Sequence, residues 1–398
     1  MHRQPVHTVY GGAHLFRSDT AGRLGATALR ALDEHLGDAP TAVALFGMAP
    51  ELAGTLLARV RAKLEQEPVE DFRIDFEDGY GHRPDDEEDD DAVGAATKVA
   101  QGYRSNTLPP YIGIRIKPLS AELSRRSQRT LELFIDTLFT DADARLADRF
   151  FVTLPKLTDP SQPALLAERL SELEQRNGLP ARSLKFEIMV ETPQTLFGAN
   201  GSAALPLMVR AGAGRISAAH FGTYDFTAAC NITAAHQHMH HPVCDFARAM
   251  MQSCLADRVW LSDGSTAVLP VGDRAAIHHA WRMHYSDVRR SLMLGFYQGW
   301  DLHPAQLVTR YLALFAFFLE AYDAAAARLQ NFMANAAQAT VLGSSFDDAA
   351  TGQGLLNYFL RGINSGAFSE AEVSTSTGLT PEELRTRSFA KILELRRG

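Results

Sequence analysis

Lys185-Phe-Glu-Ile-Met-Val-Glu-Thr-Pro193 and His220-Phe-Gly-Thr-Tyr-Asp225 decide how this chain is read. Each carries a short apolar, β-rich segment into an acidic residue, Glu191 in the first and Asp225 in the second. A carboxylate at the end of a buried strand is costly unless a cation or a hydrogen-bonding partner neutralises it. Two of them on consecutive strands can converge on one ion. With only two protein ligands, most of the coordination shell stays free for water and substrate, which is how Mg²⁺ is usually held in enzymes. Taken singly, each carboxylate reads equally well as the cap of a following helix.

Outward from these segments the pattern repeats. β-Rich runs stand at Thr41–Gly47, Phe72–Phe76, Tyr111–Lys117, Phe150–Pro155, Leu184–Glu191, Arg215–Phe221, Val259–Leu261 (extending as far as Val271) and Gln298–His303. Helical patterns lie between them at Pro50–Gln66, Ala121–Phe139, Ala164–Asn177, Gln194–Ala211, Asp245–Ala256 and Arg274–Leu294. The spacing of Leu131, Phe134, Ile135 and Leu138 is that of one helix face. Strand, crossover helix and parallel strand make the βαβ unit. Eight such units over roughly 260 residues predict an α/β fold, a (β/α)₈ TIM barrel. An open doubly wound sheet is the alternative, but no Gly-x-Gly-x-x-Gly follows the first strand, and Ala211-Gly-Ala-Gly214 precedes a strand as a turn.

The division falls at about Leu307: a barrel with an N-terminal extension over 1–307, and a helical appendage or lid over 308–398. Val308–Asn335 reads as one long helix or two, and Asp347–Gly362 as another. Thr380-Pro-Glu-Glu383 is a helix start, with Thr380 as cap and Glu383 at the capping-box position. The appendage is expected to lid the barrel or to dock on a neighbouring subunit.

Composition sets bounds. The 398 residues are 46% hydrophobic and carry a net charge of −8, which supplies a sizeable core and offers no basic footprint for nucleic acid or an anionic membrane. The most apolar run, Leu312–Leu319, falls short of the ~20 residues a membrane span needs and reads as a buried helix. The amino terminus lacks the apolar core of a secretory signal, and the three cysteines, Cys230, Cys244 and Cys254, have no paired spacing. A cytoplasmic location is the expectation.

In a (β/α)₈ barrel the chemistry lies at the carboxyl ends of the strands. The ends expected here carry Asp75-Phe-Glu-Asp-Gly79, Arg115-Ile-Lys117, Pro155-Lys156, Glu191, Gly222-Thr-Tyr-Asp225 and Asp301-Leu-His-Pro-Ala-Gln306. This order of motifs resembles the citrate lyase beta-subunit and malyl-CoA lyase group of the HpcH/HpaI aldolase superfamily, which are phosphoenolpyruvate/pyruvate-binding barrels. The likeness spans about residues 40–310.

The resemblance implies that Glu191 and Asp225 bind Mg²⁺, with Mn²⁺ as the alternative ion. It makes Arg115 the arginine that grips the 2-oxo acid, and Glu77 and Asp78 the acids that order water around the metal. A guanidinium cannot lose its proton, so Arg115 can stabilise an enolate or alkoxide without competing as a base. Backbone N–H groups of Gly222, Thr223 and Tyr224, at the start of the next helix, would receive the substrate carboxylate. In the malyl-CoA lyase branch an acid from a neighbouring subunit's C-terminal segment completes the site. Asp347 or Asp348 is the nearest match, Asp348 being preferred, although both also read as a helix N-cap and its neighbour. Lys156 is either a Schiff-base lysine or, in keeping with the superfamily, an ion-pair partner of the strand-two or strand-five acids. His303 reads as a substrate contact or as a turn-fixing histidine.

The implied activity is an Mg²⁺-dependent carbon–carbon lyase of aldolase type, acting on a 2-oxo acid or its aldol adduct through a metal-stabilised enolate, in a homo-oligomer (trimer or hexamer). Two alternatives stand beside it. One is an acyl-CoA lyase, Claisen-type synthase or thioesterase; the other is a non-catalytic 2-oxo-acid-binding barrel. The family's opening arginine-containing strand is matched here by Ala42-Val-Ala-Leu-Phe-Gly-Met-Ala49, which weighs against coenzyme A. Ala228–His241 and the large appendage suggest a distinct branch.

Two further motifs have plainer readings. The run Asp85–Asp91 lacks the spaced ligands of a calcium loop and suits a helix start, with Asp89 or a neighbour orienting Arg83. His236-Gln-His-Met-His-His241 has no carboxylate at metal-site spacing and reads first as a surface loop, then as a substrate-facing loop, and last as a metal tract.

Overall fold

The computed structural model describes residues 3–256, 258–338 and 349–397. Eight strands, β1 (His7–Gly12), β2 (Asp71–Asp75), β3 (Tyr111–Arg115), β4 (Phe150–Leu154), β5 (Lys185–Val190), β6 (Ile216–Phe221), β7 (Trp260–Ser265) and β8 (Gln298–Asp301), close in chain order into one barrel. Every neighbouring pair is parallel, including β8 beside β1. The fold is a (β/α)₈ TIM barrel. Its helices are α1 (Thr20–Ala31), α2 (Ala39–Phe46), α3 (Pro50–Gln66), α4 (Asp85–Ser105), α5 (Ser124–Asp141), α6 (Ser161–Arg176), α7 (Pro193–Leu196), α8 (Leu205–Ala211), α9 (Thr223–Ala229), α10 (Pro242–Leu255), α11 (Arg274–Met293) and α12 (Gln306–Glu320).

The opening strand is a correction to the sequence reading. Thr41–Gly47 is not a strand but most of α2, capped by Asp38, whose carboxylate accepts from the Thr41 N–H at 2.9 Å, and ended by Gly47 in the left-handed region at φ 67°. Ala and Leu suit a helix, and cap and stop outweigh a short apolar run. The first strand is His7–Gly12, and its period is hidden because the inward residues are polar: Thr8 bonds Asp71, and Tyr10 packs at a tilt against Trp300. Gln194–Ala211 is likewise two short helices, α7 and α8, parted by a turn at Gly201 (φ 76°), and β7 ends at Ser265, short of Val271.

The strands alternate. Ile74, Ile112, Ile114, Val152, Ile188, Val190, Ala219 and Phe221 are fully buried between barrel and helices. The inward positions hold charge where branched apolar side chains commonly fill such a barrel. Arg73 donates from Nε to Glu187 at 2.9 Å and to Thr153 at 3.0 Å, and from Nη1 to Asp71 at 2.6 Å. His220 pairs with Glu187 at 3.1 Å and accepts from Trp300 Nε1 at 3.2 Å. A second buried hub faces outward, where Asp301 meets His7, His284 and Arg310 between β1, β8 and the helices α11 and α12. Paired in this way, buried charge is tolerated; broken on one side it is strongly destabilising.

Beyond α12 lie α13 (Tyr322–Gln338), α14 (Ala349–Ser365), α15 (Glu370–Thr377), α16 (Pro381–Thr386) and α17 (Phe389–Arg397). The capping box on Thr380 and Glu383 is formed. Asn364 and Arg361 of α14 bond Gln4, just before β1, and Arg361 lies over Tyr297, just before β8. α14 therefore docks at the amino-terminal end of the barrel. Among the described residues no single helix is long and apolar enough to cross a membrane.

Candidate functional site

The carboxyl ends of β2 to β6 bring one acidic cluster together. At the end of β2, Asp75 ties down its own loop by accepting from the N–H groups of Glu77 (3.0 Å) and Gly79 (2.7 Å). The same carboxylate takes a two-pronged bond from Arg115 at the end of β3, from Nε at 2.7 Å and from Nη2 at 2.5 Å. The third guanidinium nitrogen lies 3.0 Å from Glu77 and 3.6 Å from Asp78. Burial opposes the charge on Arg115, but Asp75 and Glu77 hold its pKa well above the usual value. It is a fixed cation.

Lys156 follows β4 with its backbone in the left-handed region, φ 50°. That conformation aims its N–H at the Glu191 carboxylate, 2.5 Å away. The ammonium contacts Glu77 and lies 3.3 Å from Asp78 and 3.6 Å from Asp225. Strands two, four and six thus meet at one ammonium. Burial works against its charge, yet Glu191 and Glu77 together raise its pKa. The ion pair expected with the strand-two acids is present.

Glu191 is 1% exposed, and burial, reinforced by the Asp225 and Glu77 carboxylates, pushes its pKa up to about 8. The close approach of β6 explains Gly222: a Cβ there would stand 2.6 Å from Glu191 Cβ and 2.7 Å from its Oε2. The Gly222 N–H is spent on Val190 O at 3.0 Å, so the expectation that it receives a substrate carboxylate is corrected. Thr223 and Tyr224 open the first turn of α9, where helix N–H groups lack intrahelical acceptors. The Tyr224 hydroxyl is itself committed, bridging Ser265 O and the Ala267 N–H.

Five carboxylates (Asp75, Glu77, Asp78, Glu191 and Asp225) face two cations, Arg115 and Lys156. This excess of negative charge, with one carboxyl driven toward its neutral form, suits a further cation. Among the described residues no three His, Cys, Asp or Glu side chains form a closed metal cage. An ion held by Glu191 and Asp225 would keep most of its shell for water and substrate, as Mg²⁺ does. Beside Lys156 a cavity of about 520 Å³ opens between the loops after β3 and β4, lined by Pro118, Leu119, Ser120, Thr158 and Gln162 among others.

Other predicted residues stand apart. His303 Nδ1 accepts from the Ala305 N–H at 3.2 Å and fixes the turn into α12. Asp347 and Asp348 lie outside the described residues. Asp89 pairs with Arg126 and Arg129, and it is its neighbour Glu87 in the acidic run that pairs with Arg83. The His-rich loop is anchored by Met239, whose carbonyl accepts from Arg248, while His240 pairs with Asp287 and His241 caps α10. Sequence reasoning missed Tyr10, which lies against Arg115, because it missed the strand that carries it.

Residues 1–392 match a family described as a domain of unknown function, DUF6986. The chain belongs to the DUF6986 family. No curated protein matches this DUF6986 chain. Its fold is shared with a citrate lyase from Burkholderia xenovorans LB400 (TM-score 0.60, 17% identity, covering 95% of this chain and 98% of that one). It is also shared with Haloferax volcanii malate synthase, native at 3 mM glyoxylate (TM-score 0.52, 13% identity, 98% and 97% covered). A magnesium/glyoxylate complex of that synthase gives a TM-score of 0.50 at 13% identity, with 99% and 97% covered. The likeness drawn from the order of motifs is borne out at the level of the fold. The argument against coenzyme A is not: it compared the family's opening strand with Ala42–Ala49, most of which lies in α2.

Proposed function

We propose that this protein is an Mg²⁺-dependent carbon–carbon lyase of aldolase type, acting on a 2-oxo acid or its aldol adduct. The observation that carries the reading is the convergence of Glu191, Asp225, Glu77 and Asp78 around Arg115 and Lys156 at the carboxyl end of a TIM barrel; burial beside these acids pushes the Glu191 pKa up to about 8. Glu191 and Asp225 would hold the ion, Mn²⁺ being the alternative. When bound, the ion supplies Lewis-acid polarisation of the substrate carbonyl.

The chain's own groups do the rest. Arg115, fixed by Asp75 and Glu77, presents a permanent positive charge to the oxygen on which negative charge develops. The N–H groups of Thr223 and Tyr224 receive the carboxylate. Lys156 holds Glu77 and Asp78 in place. In the cleavage direction a base takes the proton of the substrate hydroxyl, and a new carbonyl forms there as the carbon–carbon bond breaks. The electron pair is left as the enolate of the 2-oxo acid, facing Arg115. Asp348 of a neighbouring copy is our candidate for the base, in a cytoplasmic homo-oligomer. The amino-end position of α14 leaves the acidic face of a chain uncovered by the described part of its own appendage. His303 fixes the turn after β8.

An acyl-CoA lyase or Claisen-type synthase is the second reading. The likeness to a malate synthase in complex with magnesium and glyoxylate favours it, as does the loss of the argument against coenzyme A. Incubation with Mg²⁺ and a panel of 2-oxo-acid aldol adducts, free or as thioesters, tests both, with the released 2-oxo acid followed by reduction. Release from free adducts supports the lyase, and release from thioesters alone supports the second reading. Binding without any release would make the protein a non-catalytic 2-oxo-acid-binding barrel.

A further inference from the structure

We propose that the Tyr10 hydroxyl is a ligand contact of this site, donating a hydrogen bond to an oxygen of the 2-oxo acid held beside Arg115. The inference rests on the reading above and adds a residue from β1. In the barrel register Tyr10 stands opposite Arg73, two positions before Gly12, which stands opposite Asp75. The ring therefore lies one inward layer beneath the clamp between Asp75 and Arg115.

The ring is held from two sides. Trp300 lies 4.8 Å away, centroid to centroid, and the Arg115 guanidinium carbon lies 4.9 Å from the ring centre. Its rotamer is thus fixed by the residue that is to grip the substrate. The hydroxyl oxygen is buried and has no hydrogen-bond partner among the described residues, although the residue as a whole is only partly buried.

A buried tyrosine hydroxyl usually finds a partner. The other buried tyrosine hydroxyls follow that rule: Tyr80 donates to Asp91, Tyr111 to Arg3 O and Tyr311 to Pro68 O. Phenylalanine would fill the same space at Tyr10 without an unpaired polar atom. Burial and the nearby Glu187 keep the phenol protonated, so the group is a standing donor. A donor on a ring packed against a guanidinium matches an oxygen carrying partial or full negative charge, such as the keto or carboxylate oxygen of a 2-oxo acid.

Tyr10→Phe tests this by calorimetry with pyruvate or glyoxylate in the presence of Mg²⁺, and by thermal unfolding without ligand. The expected result is a loss of about ten-fold in affinity for the oxo acid, the effect of one hydrogen bond. Mg²⁺ binding alone should be unchanged, and the ligand-free Tm unchanged or raised. If the wild type binds the oxo acid and the variant binds it equally, this inference falls and the lyase reading stands. A ligand-free Tm lowered by several degrees would show that the hydroxyl serves the fold, and would also overturn it. If the wild type itself binds no 2-oxo acid, the lyase reading fails and this inference fails with it.

Discussion

Replacing Glu191 with Gln should make the metal-free protein more stable, and increasingly so as pH rises. Burial lifts this carboxyl from 4.5 to about 8 in the folded state. Between those values the folded protein holds a proton that the unfolded chain has released. Stability from this group is therefore fully present below about 4.5 and is lost as pH rises through about 8. The slope is about −1.4 kcal/mol per pH unit. Gln is neutral at every pH, and its amide oxygen can still accept from the Lys156 N–H. The difference between variant and wild type should thus grow by up to about 2.5 kcal/mol from pH 5.5 to 7.5. Urea unfolding of both proteins in a chelator, at several pH values, reads this, because titrating groups remote from Glu191 cancel in the difference. Parallel profiles would mean that Glu191 is not held as a neutral buried acid, and the argument for a missing cation would lose its basis.

Other outcomes follow from the same contacts. Arg115→Lys replaces a fork matched to Asp75 with a point charge, and should weaken Mg²⁺-dependent binding of a 2-oxo acid about 10–100-fold by calorimetry. Affinity within a factor of about two would remove Arg115 from the site. Arg73→Met strips the partner from Asp71 and Glu187 inside the barrel and should cost about 3–5 kcal/mol in urea unfolding. A cost below about 1 kcal/mol would show that the interior charges are solvated. Thr380→Ala removes the formed capping box and should cost about 1 kcal/mol. No change in unfolding would mean that α16 frays independently of the global transition.

The barrel was legible because five of its strands, β2 to β6, are short and apolar on the outward face, and because helices separate them. β1 escaped: His7, Thr8 and Tyr10 make it look polar, and its inward partners, Asp71, Trp300 and Gln298, lie far along the chain. α2 was mistaken for it because the short apolar run Ala42-Val-Ala-Leu-Phe46 reads either way until its cap and its left-handed Gly47 are weighed. At the site, the acids and Arg115 were visible as strand-end residues. Their grouping around the Lys156 ammonium was not, since it depends on a left-handed backbone at a lysine, which the sequence does not announce. The charged barrel interior was equally hidden. Arg73 and Glu187 sit at alternating positions of apolar strands, where single charged residues give no sign of pairing across the barrel.

The central claim is that Glu191 and Asp225 hold a divalent ion to which a 2-oxo acid binds. Calorimetric titration of pyruvate or glyoxylate into the wild type and Asp225→Asn, with Mg²⁺ and with chelator, tests it most directly. Asp225 has a side chain 43% exposed, so the substitution should leave the fold unaltered. Saturable binding to the wild type with Mg²⁺, and none with chelator or in the variant, is the expected result. Binding that persists in chelator, or that is unchanged in Asp225→Asn, would contradict it.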